Sequence, residues 1–244
     1  MVELSAVEIV KRLDGGITRP FLCGCDDGKK YVVKGLPHLP RKELIAEWVC
    51  AHLTHALQLP FPSFAKIWVD DGLVKYRPDW NADLKEGWAF GCEFIEHAMP
   101  ITFTQAHTKI DEISQKLIYL FDIWTKNSDR TLSPKGEGNV NIIYDVGNSR
   151  FFLIDHNQSF AHDCAIMEFR THVFSSDYRK WIHDLADRQH NEDLLSSTLI
   201  AFDNACDAIP DEWRLDGDEH QQHIEFMKQT LLRVNDDLFW RDVV

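Results

Sequence analysis

Two short apolar runs, residues 141–145 and 150–155, stand on either side of Gly147-Asn148, and the second ends without transition in the carboxylate of Asp155. Runs of this length around a Gly-Asn turn predict an antiparallel hairpin. The start of its first strand then lies beside the end of its second, so Asn141 or Asn139 should meet Asp155 in space. A carboxylate directly after Phe151-Phe152-Leu153-Ile154 sits at the edge of a core and needs a partner or a cation. The pattern is an odd one to build for stability alone.

Upstream, Ile110, Ile113, Leu117, Leu120, Phe121 and Trp124 repeat at helical spacing, which predicts one long helix over 109–126 running into the polar segment NSDR. Asp129 in that segment leads into the hairpin and would face the same point. An amide oxygen beside a carboxylate suits magnesium, which takes one or two protein ligands and completes its shell with phosphate oxygens and water. A second carboxylate there could orient and deprotonate an attacking hydroxyl. Taken singly, Asn127, Asp129 and Asn139 are also ordinary turn residues.

The rest of the chain reads as strands and helices in a mixed order. Ser5 and Glu8 form a capping box before Val7, Val10 and Leu13, predicting a short helix at the start. PFLCGC and YVVKG, joined by an Asp-Gly turn, predict a hairpin with Lys34 at its end. Arg41 to Leu57 predicts a helix buried on one face and stopped by Pro60 and Pro62. FAKIWV and WAFGCEFI predict further strands. Helices are expected near 178–189, 191–208 and 219–239, and these residues beyond 165 read as scaffold or substrate surface.

The order predicts an α+β fold of two lobes: a small antiparallel sheet with one helix over 1–97, and a mainly helical part over 98–244. At 244 residues with 44% apolar side chains and eight tryptophans, the chain can bury a real core. Thirty-nine acidic against 26 basic residues give a charge of −13, which disfavours general binding to nucleic acid or anionic membranes. The six cysteines show no CxxC pair and no zinc-site spacing, so they read as free thiols of a reducing compartment. The N-terminus lacks the pattern of a signal peptide or membrane anchor, and a cytoplasmic protein is expected.

NSDR, then N-x-N-I-I, then L-I-D-H resemble the catalytic and metal-binding segments of HipA-like kinases and, more distantly, of phosphoinositide kinases and the protein-kinase superfold. The resemblance implies ATP and Mg2+ as cofactors, Asp129 as catalytic base, and Asn141 or Asn139 with Asp155 as metal ligands. SPKGEG lies between Asp129 and both asparagines, where the family has a shorter spacing, and reads as a loop insertion. Asn141 is favoured because the apolar strand starts directly after it. YVVK resembles the strand whose lysine neutralises nucleotide phosphates, which implicates Lys34; Glu47 is its expected ion-pair partner and Glu43 the less suited one. GGITRP resembles the phosphate-covering loop, with Gly15, Gly16 and Thr18 offering backbone and hydroxyl groups. FGCEFI resembles the hinge, whose backbone at Glu93, Phe94 and Ile95 would meet adenine.

The implied function is transfer of the γ-phosphoryl of Mg-ATP to a protein serine or threonine. A small-molecule or lipid kinase is the alternative enzyme, although NSDR is not the His-Gly-Asp segment of aminoglycoside-type kinases and the acidic charge opposes a lipid surface. A nucleotide-binding pseudokinase or interaction module is the alternative from another class, kept open by the lengthened loop. The acceptor protein and any antitoxin-like partner are not inferable from the chain.

Overall fold

The computed structural model describes residues 2–13 and 18–243. Strands β1 (Glu3–Arg12), β2 (Phe21–Cys25) and β3 (Lys30–Lys34) come first, followed by helix α1 (Arg41–Ala56) and strand β4 (Phe64–Val69). Two single-turn helices, α2 (Asp71–Val74) and α3 (Pro78–Asn81), lead to β5 (Gly87–Glu93). Then come β6 (Met99–Pro100), α4 (Phe103–Lys109), α5 (Glu112–Trp124), and the hairpin of β7 (Ile142–Asp145) and β8 (Arg150–Leu153). The chain finishes with α6 (Leu185–Asp207), α7 (Asp218–Leu232) and α8 (Asp237–Val243).

The first five strands close into a barrel in the order β1-β2-β3-β5-β4. Four of the pairings are antiparallel, but closure is made by β1 running parallel to β4, with Glu3 opposite Lys66 and Ser5 opposite Trp68. The expected small antiparallel sheet is therefore a closed barrel, which leaves no open edge. Its interior is filled by Cys23, Val33, Ala65, Ile67 and Ala89 among others. Burial pushes both the Cys23 and the Cys25 thiols up to about 12, as expected of inert core thiols. All six cysteines are free.

The opening helix expected from Ser5 and Glu8 is instead β1. Two register shifts, between Ala6 and Glu8 and between Ile9 and Lys11, break the period-2 alternation that would have announced a strand. Val7 and Val10, assigned to a buried helical face, point to solvent. The ladder on two sides outweighs a local capping signal, and the β-branched Val7, Ile9 and Val10 suit it. Ser5 N–H donates to Asp26 Oδ1 at 3.1 Å, at the end of the neighbouring strand β2.

A second core contains α1 together with α5, α6 and the hairpin; α1 is not buried on one face as expected but on all sides over 44–51. Leu44, Trp48 and Leu53 of α1 pack into it with Phe121 and Trp124 of α5 and Phe202 of α6. Each buried Leu or Phe contributes about 1.5–3 kcal/mol. Trp48 Nε1 donates to the Ala205 carbonyl at 2.9 Å and Trp124 Nε1 to the Leu231 carbonyl at 2.8 Å, so α6 and α7 are pinned behind α1 and α5.

Several boundaries differ from those expected. The 109–126 helix starts at Glu112, because Asp111 caps it by accepting from Ser114 N–H at 2.9 Å, and a separate α4 precedes it with Thr102 and Gln105 as capping box. Ile113, in the first turn, is 79% exposed. The helices expected at 178–189 and 191–208 are one helix, started by the Asp184 carboxylate on the amides of Ala186 and Asp187. The one expected at 219–239 is divided between α7 and α8 by a 3-10 turn, Arg233–Asn235. β6 adds an unexpected third strand to the hairpin.

Candidate active site

The hairpin pairs Ile142 with Leu153 and Asp145 with Arg150. Its turn is held by the Asp145 carboxylate, which accepts from Gly147 N–H, Asn148 N–H and Asn148 Nδ2. With the register set, Ile154 N–H donates to the Asn141 carbonyl at 3.0 Å, and Asp155 follows directly. Asn141 Nδ2 lies 3.4 Å from the Asp155 carbonyl oxygen. Asn141 and Asp155 both take left-handed backbone conformations, φ 46° and 57°. Asn and Asp tolerate this region better than other side chains, and here it turns both out of the ladder.

Asp129 arrives from the other side, on the loop after α5. Its Oδ2 accepts from Asn139 Nδ2 at 2.7 Å and from Asn141 Nδ2 at 3.0 Å. The inserted residues between them form a closed excursion. Thr131 N–H donates to the Asn139 carbonyl at 2.9 Å, and Asn139 N–H returns a bond to Thr131 Oγ1 at 3.0 Å. Gly138 makes the closure possible: its φ is +129°, and a Cβ there would stand 2.5 Å from the Thr131 carbonyl oxygen. The insertion therefore gives the chain back where it left it, and Asn141 still reaches Asp129. Both asparagines share one oxygen of Asp129, but of the two only Asn141 also reaches Asp155. Burial raises the Asp129 carboxyl above its ordinary range and the nearby Asp155 charge adds to this, against the two amide bonds.

Lys34, ending β3, bonds to Glu47 of α1 and to Asp155 Oδ1, the latter at 2.6 Å. Its side chain is 9% exposed and that of Glu47 is 1% exposed. Glu43 takes no part in this pairing. It accepts instead from Asn157 Nδ2 at 2.5 Å and Gln158 Nε2 at 3.2 Å, tying α1 to the segment after Asp155. Glu47 Oε2 also accepts the His156 N–H at 3.0 Å. Burial raises the Glu47 carboxyl despite Lys34. Burial acts the same way on Asp155, but there the ammonium prevails and the carboxyl lies below its ordinary range. One cation thus serves two acids.

These groups form the polar end of a cavity of about 480 Å3. Its other walls are apolar: Val32, Phe61, Phe90, Cys92, Ile95, Ile142 and Ile154. The size and the apolar body with a few convergent polar groups match a small-molecule site. Thr18 lines it; Gly15 and Gly16 lie outside the described residues. Glu93, Phe94 and Ile95 line the wall as well, but Glu93 N–H already donates to the Ser63 carbonyl and Phe94 N–H to the Lys30 carbonyl. Among the described residues Ile95 N–H has no such partner, so of the three amides it is the one available to a ligand.

A family model described as HipA-like kinase matches residues 6–243, essentially the whole chain. The chain belongs to the HipA-like kinase family. No curated protein matches this HipA-like kinase in sequence. Among solved structures, the Helicobacter pylori proinflammatory kinase CtkA matches with a TM-score of 0.59 at 12% identity, covering 99% of this chain and 96% of that one. A Golgi casein kinase solved with Mn/ADP bound matches with a TM-score of 0.46 at 12% identity, covering 97% and 72%. The likeness to CtkA shows that the fold, mixed in helix and sheet, is one used by kinases.

Part of this kinase's site escaped sequence reasoning. Asp122 on α5 and Arg130, next to Asp129, form a fully buried ion pair, Nε to Oδ2 at 2.7 Å. Arg130 also donates to the Asn141 carbonyl and, through Nη2 at 2.9 Å, to His156 Nε2. The available signal was Asp122 itself, a lone acid inside the apolar run Ile118-Tyr119-Leu120-Phe121 and Ile123-Trp124, which a core admits only with partners. No spacing identified Arg130 as that partner.

Proposed function

We propose that the chain transfers the γ-phosphoryl group of Mg-ATP to a serine or threonine hydroxyl of a protein. The observation that carries this reading is the convergence of Asn141, Asp155 and Lys34 at one end of a single cavity, with Asp129 bonded to Asn139 and Asn141 behind its wall. Asp129 is the base: a carboxyl raised by burial holds a proton better than an exposed one, and it stands just outside the cavity wall, behind Asn139 and Asn141. Lys34 binds the nucleotide phosphates, for which its ammonium would leave Asp155. Adenine lies along the apolar wall, with Ile95 N–H as its backbone donor. Thr18 borders the phosphates.

Asp155 with Asn141, or with Asn139 in its place, are the residues that would hold Mg2+. Among the described residues no group of three or more His, Cys, Asp or Glu side chains is arranged to hold a metal by itself. One carboxylate and an amide oxygen fit a cation that takes most of its shell from phosphate and water. When bound, it would neutralise charge on the transferring phosphoryl.

The two-lobe division, 1–97 and 98–244, follows the same reading, with the cavity between the lobes and Glu93 to Ile95 as the crossing. A reducing compartment, the cytoplasm, fits six free thiols, and no helix of the described residues is long and apolar enough to cross a membrane. Incubation with γ-labelled ATP and magnesium in cell lysate tests the function, with identification of labelled proteins. Label on serine or threonine that disappears with Asp155→Asn is expected. Label confined to lipid or small molecules would select the other kinase reading, and nucleotide binding without any transfer would select a pseudokinase.

A further inference from the structure

Asn141 and Asp155 both hold left-handed conformations that side chains other than glycine seldom keep, and such residues persist only where the surroundings hold them. One side chain touches the supports of both. Arg130 donates to the Asn141 carbonyl and to the ring of His156, the residue after Asp155. It also follows Asp129 directly, and its own carbonyl accepts Val173 N–H at 3.0 Å. The guanidinium therefore bonds to Asn141 directly, while Asp129 and Asp155 are the chain neighbours of Arg130 itself and of its partner His156.

Asp122 decides where the guanidinium lies. Its Oδ2 accepts from Arg130 Nε at 2.7 Å and from His172 Nε2 at 2.9 Å, and its Oδ1 accepts from Asn127 Nδ2 at 3.0 Å. Asn127 Oδ1 in turn faces Asp129 N–H at 3.4 Å. The carboxylate thus grips the loop on both sides of Asp129, through Asn127 before it and Arg130 after it. His172 is fixed as the tautomer that donates from Nε2, because its Nδ1 accepts Phe174 N–H at 3.0 Å. His156 accepts from Arg130 at Nε2 and is held neutral by burial and by that guanidinium, its pKa pushed down to about 3.

Burial alone would raise the Asp122 carboxyl, but Arg130 and His172 bring it down to about 2. Asp122 and Arg130 are both fully buried, and Asp122 lies outside the nucleotide cavity, so its charge contacts no ligand. A buried ion pair is weak grounds for stability, since apolar residues of similar volume do as well or better. Specific geometry is what it supplies. From this the geometry points to Asp122 as a positioning residue for phosphoryl transfer, holding Arg130 and Asn127 so that Asp129, Asn141 and Asp155 keep their mutual placement. The inference rests on the kinase reading for its consequence and on the hydrogen-bond network for its substance.

Two variants test it, Asp122→Asn and the double variant Asp122→Leu/Arg130→Met, which removes both buried charges together and so keeps a foldable core. Misplacement by about 1 Å costs on the order of 100-fold in rate. Both variants should lose about that factor in kcat, with calorimetric binding of ATP in the absence of magnesium unchanged. Hydrogen exchange should speed up at the amides of residues 127–131 and at Ile154, and stay as in the wild type in the barrel. A double variant that melts like the wild type and keeps its kcat overturns the inference, as does a loss expressed wholly in KM. Should the wild type show no Mg-ATP-dependent transfer, the proposed function fails, and the exchange measurement still decides: unchanged protection at 127–131 and Ile154 refutes the positioning role.

Discussion

Replacing Lys34 by methionine should destabilise the protein at neutral pH and make mild acid more favourable to its stability than it is in the wild type. In the native site one ammonium sits between Glu47 and Asp155, with the lysine side chain 9% and the Glu47 side chain 1% exposed. Methionine keeps most of the volume and removes the charge, leaving two acids facing each other at the edge of a core. Breaking a buried pair in this way costs about 3–5 kcal/mol. For a chain of this size each kcal/mol moves Tm by about 2–4 °C, so a fall of roughly 6–20 °C is expected at pH 7.5. The sign of the pH effect follows from proton linkage. In the wild type the Asp155 carboxyl is depressed by Lys34, so its contribution is intact at both pH 7.5 and 5.5 and fades only as pH falls through the lower folded pKa, while the Glu47 carboxyl, raised by burial, acts in the opposite direction. Without Lys34 both acids are raised by burial and by each other. The folded state then binds protons more tightly than the unfolded chain, and stability rises as pH falls through the raised values. Thermal unfolding followed by circular dichroism at pH 7.5 and pH 5.5 measures both effects. A variant that melts with the wild type at pH 7.5, or that loses more stability than the wild type on acidification, would refute the reasoning.

Asp129→Asn should lower kcat for phosphoryl transfer by about 100- to 10,000-fold, the usual range for a general base, with little change in nucleotide affinity measured by titration calorimetry. Asp155→Asn should bind ATP with an affinity that no longer responds to magnesium, because the carboxylate proposed for the cation is gone; an undiminished magnesium dependence would move that role elsewhere. Gly138→Ala sets a Cβ against the Thr131 carbonyl at 2.5 Å in a backbone that disfavours L-residues, so it should cost more than about 1 kcal/mol in urea unfolding and reduce transfer by displacing Asn139.

Where local pattern and tertiary context agreed, the chain could be read closely. Helix α1, strand β4 and the hairpin lie where periodicity, proline punctuation and the Gly-Asn turn put them, because each is a short element whose neighbours in sequence determine its limits. The meeting of Asn141 with Asp155 follows from hairpin pairing, which depends on counting along two strands. Where two local signals competed, reading failed. The Ser5-Glu8 cap was real as a pattern, but β1 is flanked by β2 and β4, and its two register shifts scramble the alternation that would have identified it. Two helices were expected either side of residue 190, yet nothing there stops α6, whose start is decided by Asp184.

Residue types and spacing were enough to single out the carboxylate of Asp155 at a core edge, a short-range misfit where the surrounding pattern calls for burial, and to set Asp129 on the loop before it; Lys34 came from the family resemblance of YVVK. Which groups satisfy one another is settled only in three dimensions. Lys34 and Asp155 are 121 positions apart, Asp122 and His172 are 50 apart, and Glu43 finds Asn157 across 114. Desolvated charges must be paired wherever the folded chain brings a partner within about 3 Å, and separation along the sequence carries no trace of that distance.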